Sequence, residues 1–313
     1  MSGSDSMVPP PRGSGVAFVT GAAGFLGGAV AAAFVRAGWR VAGFDLAPGW
    51  AGGCAHWITG EVHRDVLTRA AAELGKPEVM FHAAGGSSVG ASVADPEGDF
   101  TRTVLSVRET LAFLTAEAST ARLIYPSSAA VYGAAATGRL SEDARLDPMS
   151  PYGRHKLQAE TEIAGAGLDT VMLRFFSLYG PGLRKQLLWD LARRLKSRPA
   201  QLELSGTGEE LRDFLFVDDA VRLVGLAAGP GPGGERVING GRGEAVAVRH
   251  AAKTLAKALG CETAIGFSGA ARAGDPDALV ADTARSESLG FSPQVTFEAG
   301  AVRFARWFEA LPA

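Results

Sequence analysis

"VTGAAGFLGG", residues 19–28, puts Gly21, Gly24 and Gly27 at every third position, directly behind the apolar run Val16–Val19. A strand is followed here by the start of a helix, and three side chains are given up at the junction. That is the context of a dinucleotide fingerprint. The first glycine permits a tight turn, the second lets a pyrophosphate approach bare backbone, and the third lets helix and strand pack closely. The helix N-terminus then offers free N–H groups and the positive end of its dipole to the phosphates. The spacing is GxxGxxG, not the GxGxxG of ordinary dinucleotide-binding dehydrogenases. Gly21, Ala23, Gly24, Phe25, Leu26 and Gly27 form this turn. The next apolar run, "RVAGFD", ends in Asp45, about twenty residues on, where a carboxylate accepts both ribose hydroxyls of an adenosine. It repels a 2′-phosphate, so NAD is expected rather than NADP. Glu61 and Val62, behind the short run "HWITG", are placed to meet the adenine edge.

Outward from this turn, residues 16 to 126 alternate short apolar runs with longer amphipathic ones. "VAFVT", "RVAGFD", "EVMFHAA" and "RLIYPSS" read as buried strands; "GFLGGAVAAAFVRAG", "RDVLTRAAAELG" and "DFTRTVLSVRETLAFLTAEA" read as helices. Such alternation predicts an α/β fold, a doubly wound parallel sheet with helices on both faces. "DTVMLRF" adds a strand near residue 172. Beyond Gly180 the pattern loosens into a helix near 184–197, the short strand "QLELSG" and further mixed segments. The expected organisation is a tail over 1–15, a dinucleotide-binding domain over 16–180, and a smaller C-terminal α/β region over 181–313. Some segments of that last region are expected to return to the first. "GPGPGG" at 229–234 reads as a loop, and no internal repeat is visible.

The 313 residues are 47% hydrophobic and 20% charged, with a formal net charge of -2. A chain of this length buries a full core without staples. The charge balance, with no basic stripe, argues against a nucleic-acid partner. No apolar run approaches the ~20 residues of a membrane span. The two cysteines, Cys54 and Cys261, are far apart and lack metal-ligand spacing, so no metal site and a reducing cytoplasm are expected. "MSGSDSMVPPPRGSG" has no apolar h-region and reads as a disordered tail, not a secretory signal.

Two further stretches carry chemistry: "SSAAVYG" at 127–133 and "PYGRHK" at 151–156. Tyr152 and Lys156 are four apart, so a helix puts both on one face, where the cation lowers the phenol pKa. Ser128 ends the "RLIYPSS" strand, the edge at which sites open in such sheets. With the glycine fingerprint, the chain resembles the extended short-chain dehydrogenase/reductase family, and within it the NAD-dependent nucleotide-sugar epimerase/dehydratase group. The resemblance covers about residues 15 to 310. It implies that Tyr152 is the general base toward a sugar hydroxyl, that Lys156 binds the nicotinamide ribose, and that Ser128 hydrogen-bonds the same sugar oxygen. "FHAAGGSS" at 81–88 resembles the segment beneath the cofactor, with Ala83, Ala84 and Gly85 lining it and Ser87 toward the substrate. His82 in that segment reads as a packed strand-end residue. "LRFFSLYGPG" at 173–182 resembles the nicotinamide wall, with Phe175 and Phe176 near the ring. "LRDFLFVDDA" at 211–220 and "ARAGDPDALVADTARSESLGF" from 271 resemble the family's substrate segments, so Arg212 and Arg272 are expected to clamp the diphosphate.

The departures select among chemistries. Ala129 and Ala130 stand where 4,6-dehydratases of the family carry an acidic pair, and neither can move a proton. No cysteine lies near Ser128, as the GDP-fucose synthase branch requires. Ser177 and Thr103 stand where the family usually has asparagine; Ser177 keeps a donor of shorter reach toward the diphosphate. The resemblance thus implies a 4-epimerase acting on a UDP-sugar through a transient 4-keto sugar. A 4-ketoreductase or atypical dehydratase on the same scaffold is the alternative, and a non-catalytic NAD(P) sensor a distant one. It also implies a homodimer through "TVLSVRETLAFL" and "LQAETEIAGA".

Overall fold

The computed structural model describes residues 15–49, 53–133, 138–230, 235–270 and 276–312. The expected tail therefore lies, but for Gly15, outside the described residues, and Arg272 lies outside them too. The strands are β1 (Val16–Thr20), β2 (Arg40–Asp45), β3 (His56–Thr59), β4 (Val79–His82), β5 (Arg122–Ser128), β6 (Arg139–Leu140), β7 (Thr170–Phe175), β8 (Ser177–Tyr179), β9 (Gln201–Leu204), β10 (Leu211–Arg212), β11 (Phe214–Phe216), β12 (Glu235–Gly240), β13 (Val246–Ala247), β14 (Ala264–Phe267) and β15 (Ala278–Ala281). The helices are α1 (Phe25–Arg36), α2 (Arg64–Leu74), α3 (Val89–Ala94), α4 (Pro96–Phe100), α5 (Ser106–Glu117), α6 (Pro151–Ala164), α7 (Gln186–Leu195), α8 (Val217–Ala228), α9 (Val248–Ala258), α10 (Ala284–Ser288) and α11 (Phe297–Glu309).

Seven strands form one parallel sheet in the order β12-β7-β5-β4-β1-β2-β3. The order reverses between β1 and β4, which makes the carboxyl ends of these strands the ligand crevice of a doubly wound fold. Successive residues of a strand point to opposite faces, and both faces are covered. Ala17 and Val19 join Val30 and Phe34 of α1 and Leu223 and Val224 of α8. Phe18 points the other way, between Phe44 and Phe113, with ring centroids 5.2 and 6.0 Å away. Burial on both faces is why these strands are continuously apolar.

The C-terminal part is interleaved with the sheet. β12 pairs with β7, and α8 packs on α1, so both belong to the layer expected from residues 16–180. Conversely, β6 joins the small sheet β13-β10-β15-β6. A separate core of Tyr179, Phe214, Phe216, Phe297 and Phe304 holds α7, α9 and α11 over the crevice.

The stretch expected as one long helix from Asp99 is divided. α4 ends at Phe100, residues Thr101–Leu105 form a π-helical stretch, and α5 follows. Side chains intervene here: Ser106 Oγ donates to the Arg102 carbonyl, and Thr103 Oγ1 accepts the Gly86 N–H at 2.9 Å. The Ser106 hydroxyl, bonded to a carbonyl of its own helix one turn back, loosens the regular ladder. Among the described residues no helix is long and apolar enough to cross a membrane.

Candidate active site

A cleft of about 1150 Å³ runs along the carboxyl ends of β1, β2, β4 and β5. Its floor is the glycine turn. Gly21 has φ +64°, and a Cβ there would stand 2.7 Å from the Ala83 carbonyl; a Cβ on Gly27 would stand 2.1 Å from the Gly21 oxygen. The turn therefore closes only with bare backbone at both positions. No side chain caps α1 and no acidic residue sits in its first turn, so that helix end faces the cleft with its N–H groups. Asp45 Oδ2 accepts the Ala23 N–H and Oδ1 the Ala47 N–H, each at 2.9 Å. These bonds fix the carboxylate at the rim and leave lone pairs for ribose hydroxyls. The bare cradle, open helix end and fixed carboxylate fit a dinucleotide.

Every residue expected around the cofactor lines this cleft except Ala23, whose N–H is spent on Asp45. Ser87, Ser128 and Ser177 line it as well. Helix α6 begins at an N-cap, Ser150, whose hydroxyl accepts the Gly153 N–H at 3.1 Å, with Pro151 in the first turn. Ser92 Oγ accepts the Tyr152 N–H at 3.0 Å. Lys156, one turn on, donates from Nζ to the Pro126 carbonyl at 2.9 Å and lies 4.6 Å from the Tyr125 ring centroid.

The electrostatics differ from the expectation that Lys156 lowers the phenol pKa. Burial dominates and holds the Tyr152 phenol above its ordinary value; the hydrogen bond with Ser128 pulls it down, and the charge of Asp99 pushes it up. The Lys156 ammonium is directed at Pro126, 5.9 Å from the Tyr152 ring centroid. Burial also pulls Lys156 down to about 8, opposed by the carboxylates of Asp99 and Glu160.

His82 hydrogen-bonds to Thr20 and Thr110 through Nδ1, at 3.0 and 3.1 Å, and to Ser106 through Nε2 at 3.2 Å. Burial pulls its pKa down to about 3, so it is a neutral buried strut at working pH. Ala130 lines the cleft beside Ser128 and brings no titratable atom.

At the other end of the cleft the outcome is mixed. Arg212 does not line it: its Nη1 donates to the carbonyls of Leu211 and Pro276, at 2.8 and 2.9 Å. Pairing of β10 with β15 brings the Pro276 carbonyl within reach. Cations that the sequence reading passed over line the cleft instead. Lys185 donates to the Ser87 carbonyl at 2.9 Å, and Arg194 donates to the Glu203 carbonyl at 2.6 Å. The available signal was the basic "LRK" before an amphipathic helix. The pair Asp99–His155 also stands beside the dyad, its two residues brought together from α4 and α6.

The profile of the NAD-dependent epimerase/dehydratase family matches residues 17–239. The chain belongs to that family, and its cofactor is NAD. It is 31% identical over 310 residues to a UDP-glucose 4-epimerase of Mycolicibacterium smegmatis, across 93% of this chain and 97% of the relative. It superposes with a TM-score of 0.85 and 31% identity on MoeE5 in complex with UDP-glucuronic acid and NAD, across 94% and 99% of the two chains. TunA, an NAD-dependent NDP-hexosamine 5,6-dehydratase involved in tunicamycin biosynthesis, is also similar, at 28% identity and a TM-score of 0.82, across 95% and 99%.

Proposed function

We propose that this chain is a nucleotide-sugar 4-epimerase with a UDP-sugar as substrate. The observation that carries the reading is Tyr152, Lys156 and Ser128 on one wall of the cleft, with alanines at 129 and 130. Bound NAD supplies reversible removal and return of a hydride at the sugar. Tyr152 takes the proton of the C4 hydroxyl as a general base and returns it to the same oxygen once the 4-keto sugar has turned to receive the hydride on its other face. Ser128 holds the same oxygen and the phenol together. Lys156, an ammonium fixed to Pro126, holds the cofactor ribose with its remaining donors. The wide cleft beside Ala130 leaves room for the flat 4-keto sugar to turn about its phosphate linkage. A dehydratase needs a further acid and base beside Ser128, and the alanines supply neither.

In this reading the glycine-turn half of the cleft takes NAD, and the segments after residue 180 form most of the nucleotide-sugar half. Ser87 and Ser177 face the sugar and diphosphate, and the diphosphate contact assigned to Arg212 is taken by the cations that do line the cleft, Lys185 and Arg194. The epimerase and UDP-sugar names of the relatives support it. A cytoplasmic homodimer packed through α5 and α6 completes the proposal; analytical ultracentrifugation at micromolar concentration checks it. The test of function is a UDP-hexose deuterated at C4. An epimerase returns product with the label at C4; label in released reduced cofactor overturns the assignment in favour of a dehydrogenase.

A further inference from the structure

Behind the dyad stands a carboxylate that the proton transfer does not use. Asp99, in α4, is 1% exposed. Its Oδ2 meets His155 Nδ1 at 2.6 Å. His155 lies on α6 between Tyr152 and Lys156, and Phe100 sits edge-on to its ring with centroids 5.6 Å apart. On its other side the carboxylate rests on the cleft wall: a Cβ on Gly86 would stand 1.8 Å from Asp99 Oδ1. The second glycine of "GG" at 85–86 thus makes room for a buried acid.

Burying an ion costs several kcal/mol unless it is compensated. Among the described residues, the ion-pair partner of Asp99 is His155, which is charged only when protonated. The other titratable groups facing the dyad come from each element packed on it. Glu160 of α6 is bound to Arg174 at 2.7 Å, so its charge is already matched. Lys185, before α7, is a like charge to Lys156. His82 of β4 is neutral, and Tyr125 of β5 is held far above its ordinary value by burial. The partner of Asp99 thus stands on α6, the helix that carries the dyad, and the charge of Asp99 acts on both Tyr152 and Lys156.

We propose that Asp99, clamped between His155 and Gly86, is the buried counter-charge of the Tyr152–Lys156 dyad and a positioning residue of the reaction. It favours the Lys156 ammonium and opposes the Tyr152 phenolate, so the two protonation states are set together. Neutralising it moves both ionisations toward acid. Mere loosening of α6 has no reason to move them in the same direction. The role in turnover rests on the epimerase reading; the charge coupling does not.

The experiment is an ultraviolet difference titration of Tyr152 in the full chain with excess NAD, wild type against Tyr152→Phe, repeated on the Asp99→Asn background. The expected result is a midpoint about one pH unit lower in Asp99→Asn, the scale of one nearby charge, with an unchanged circular dichroism spectrum. An unmoved midpoint overturns the proposal. Should Asp99→Asn not fold, the smaller neutral Asp99→Ser is read in the same titration. No turnover is needed, so a chain that fails to epimerise sinks the proposed function and leaves this inference to its own result. In an active enzyme both limbs of kcat/KM against pH move toward acid by a similar amount. A lowered plateau with unmoved limbs reduces Asp99 to a structural part.

Discussion

The two ends of the cleft are built from different materials. The glycine-turn end is made of backbone: Gly21 and Gly27 have no room for a Cβ, α1 presents an uncapped terminus, and Asp45 is tied down by two main-chain N–H groups. The sugar end is made of side chains carried by separate elements: Tyr152 and Lys156 on α6, Ser128 on β5, Ser177 on β8, and Lys185 before α7. A backbone site binds whatever fits its shape and charge, and it fails when a side chain is added. A side-chain site fails when a functional atom is removed. The contrast teaches where each kind of substitution acts, and four measurements bear on it.

The largest effect belongs to the sugar end. Tyr152→Phe keeps the ring and removes the base, so the interconversion rate falls by roughly 10²–10⁴-fold. NAD affinity by calorimetry is expected to stay within a factor of a few, because the turn is untouched; a large loss would join two ends that the geometry separates. The reverse experiment adds a methyl group at the backbone end. In Gly27→Ala the Cβ meets the Gly21 oxygen, and overpacking of that kind costs about 1–3 kcal/mol. NAD binding is expected to weaken by about 10–100-fold. Unchanged NAD affinity would show that the cradle is not the cofactor's floor.

Asp45→Ala is smaller. It removes an acceptor for ribose and a repulsion against a 2′-phosphate, at a cost of about 1 kcal/mol in NAD binding. The gap between NAD and NADP narrows; a wild type that prefers NADP would break this reading of the β2 end. The last prediction concerns stability, at the strut between the two ends. His82 titrates near 6.5 when unfolded and at about 3 when folded, so the unfolded chain takes up its proton first. The neutral form's contribution is complete above pH 6.5 and is lost as pH falls from there toward 3. Thermal melts at pH 7 and pH 5 are expected to differ, and His82→Gln is expected to reduce the difference.

How much of this was readable in one dimension follows from the same contrast. The glycines, Asp45 and the Tyr–Lys spacing are local: each requirement is met within one turn or one strand end, so residue type and spacing carry it. The division of the stretch after Asp99 was not readable, because apolar periodicity is blind to the Ser106 hydroxyl, which bonds back to the Arg102 carbonyl of its own helix. Arg212 sat in a matching segment, yet its guanidinium is drawn to Pro276 by a strand pairing that sequence spacing does not specify.

The sequence by itself determined the parallel α/β sheet, the dinucleotide turn and the helix that carries Tyr152 and Lys156, because periodicity and short-range sterics decide those. Only the tertiary structure decided that β12 completes the sheet and α8 one of its helical layers, that Lys185 and Arg194 rather than Arg212 line the sugar end, and that Asp99 pairs with His155 behind the dyad. Asp99 and His155 are 56 residues apart in the chain and 2.6 Å apart in space. A contact of that kind depends on how α4, α6 and the Gly86 loop pack together, and no local pattern records it.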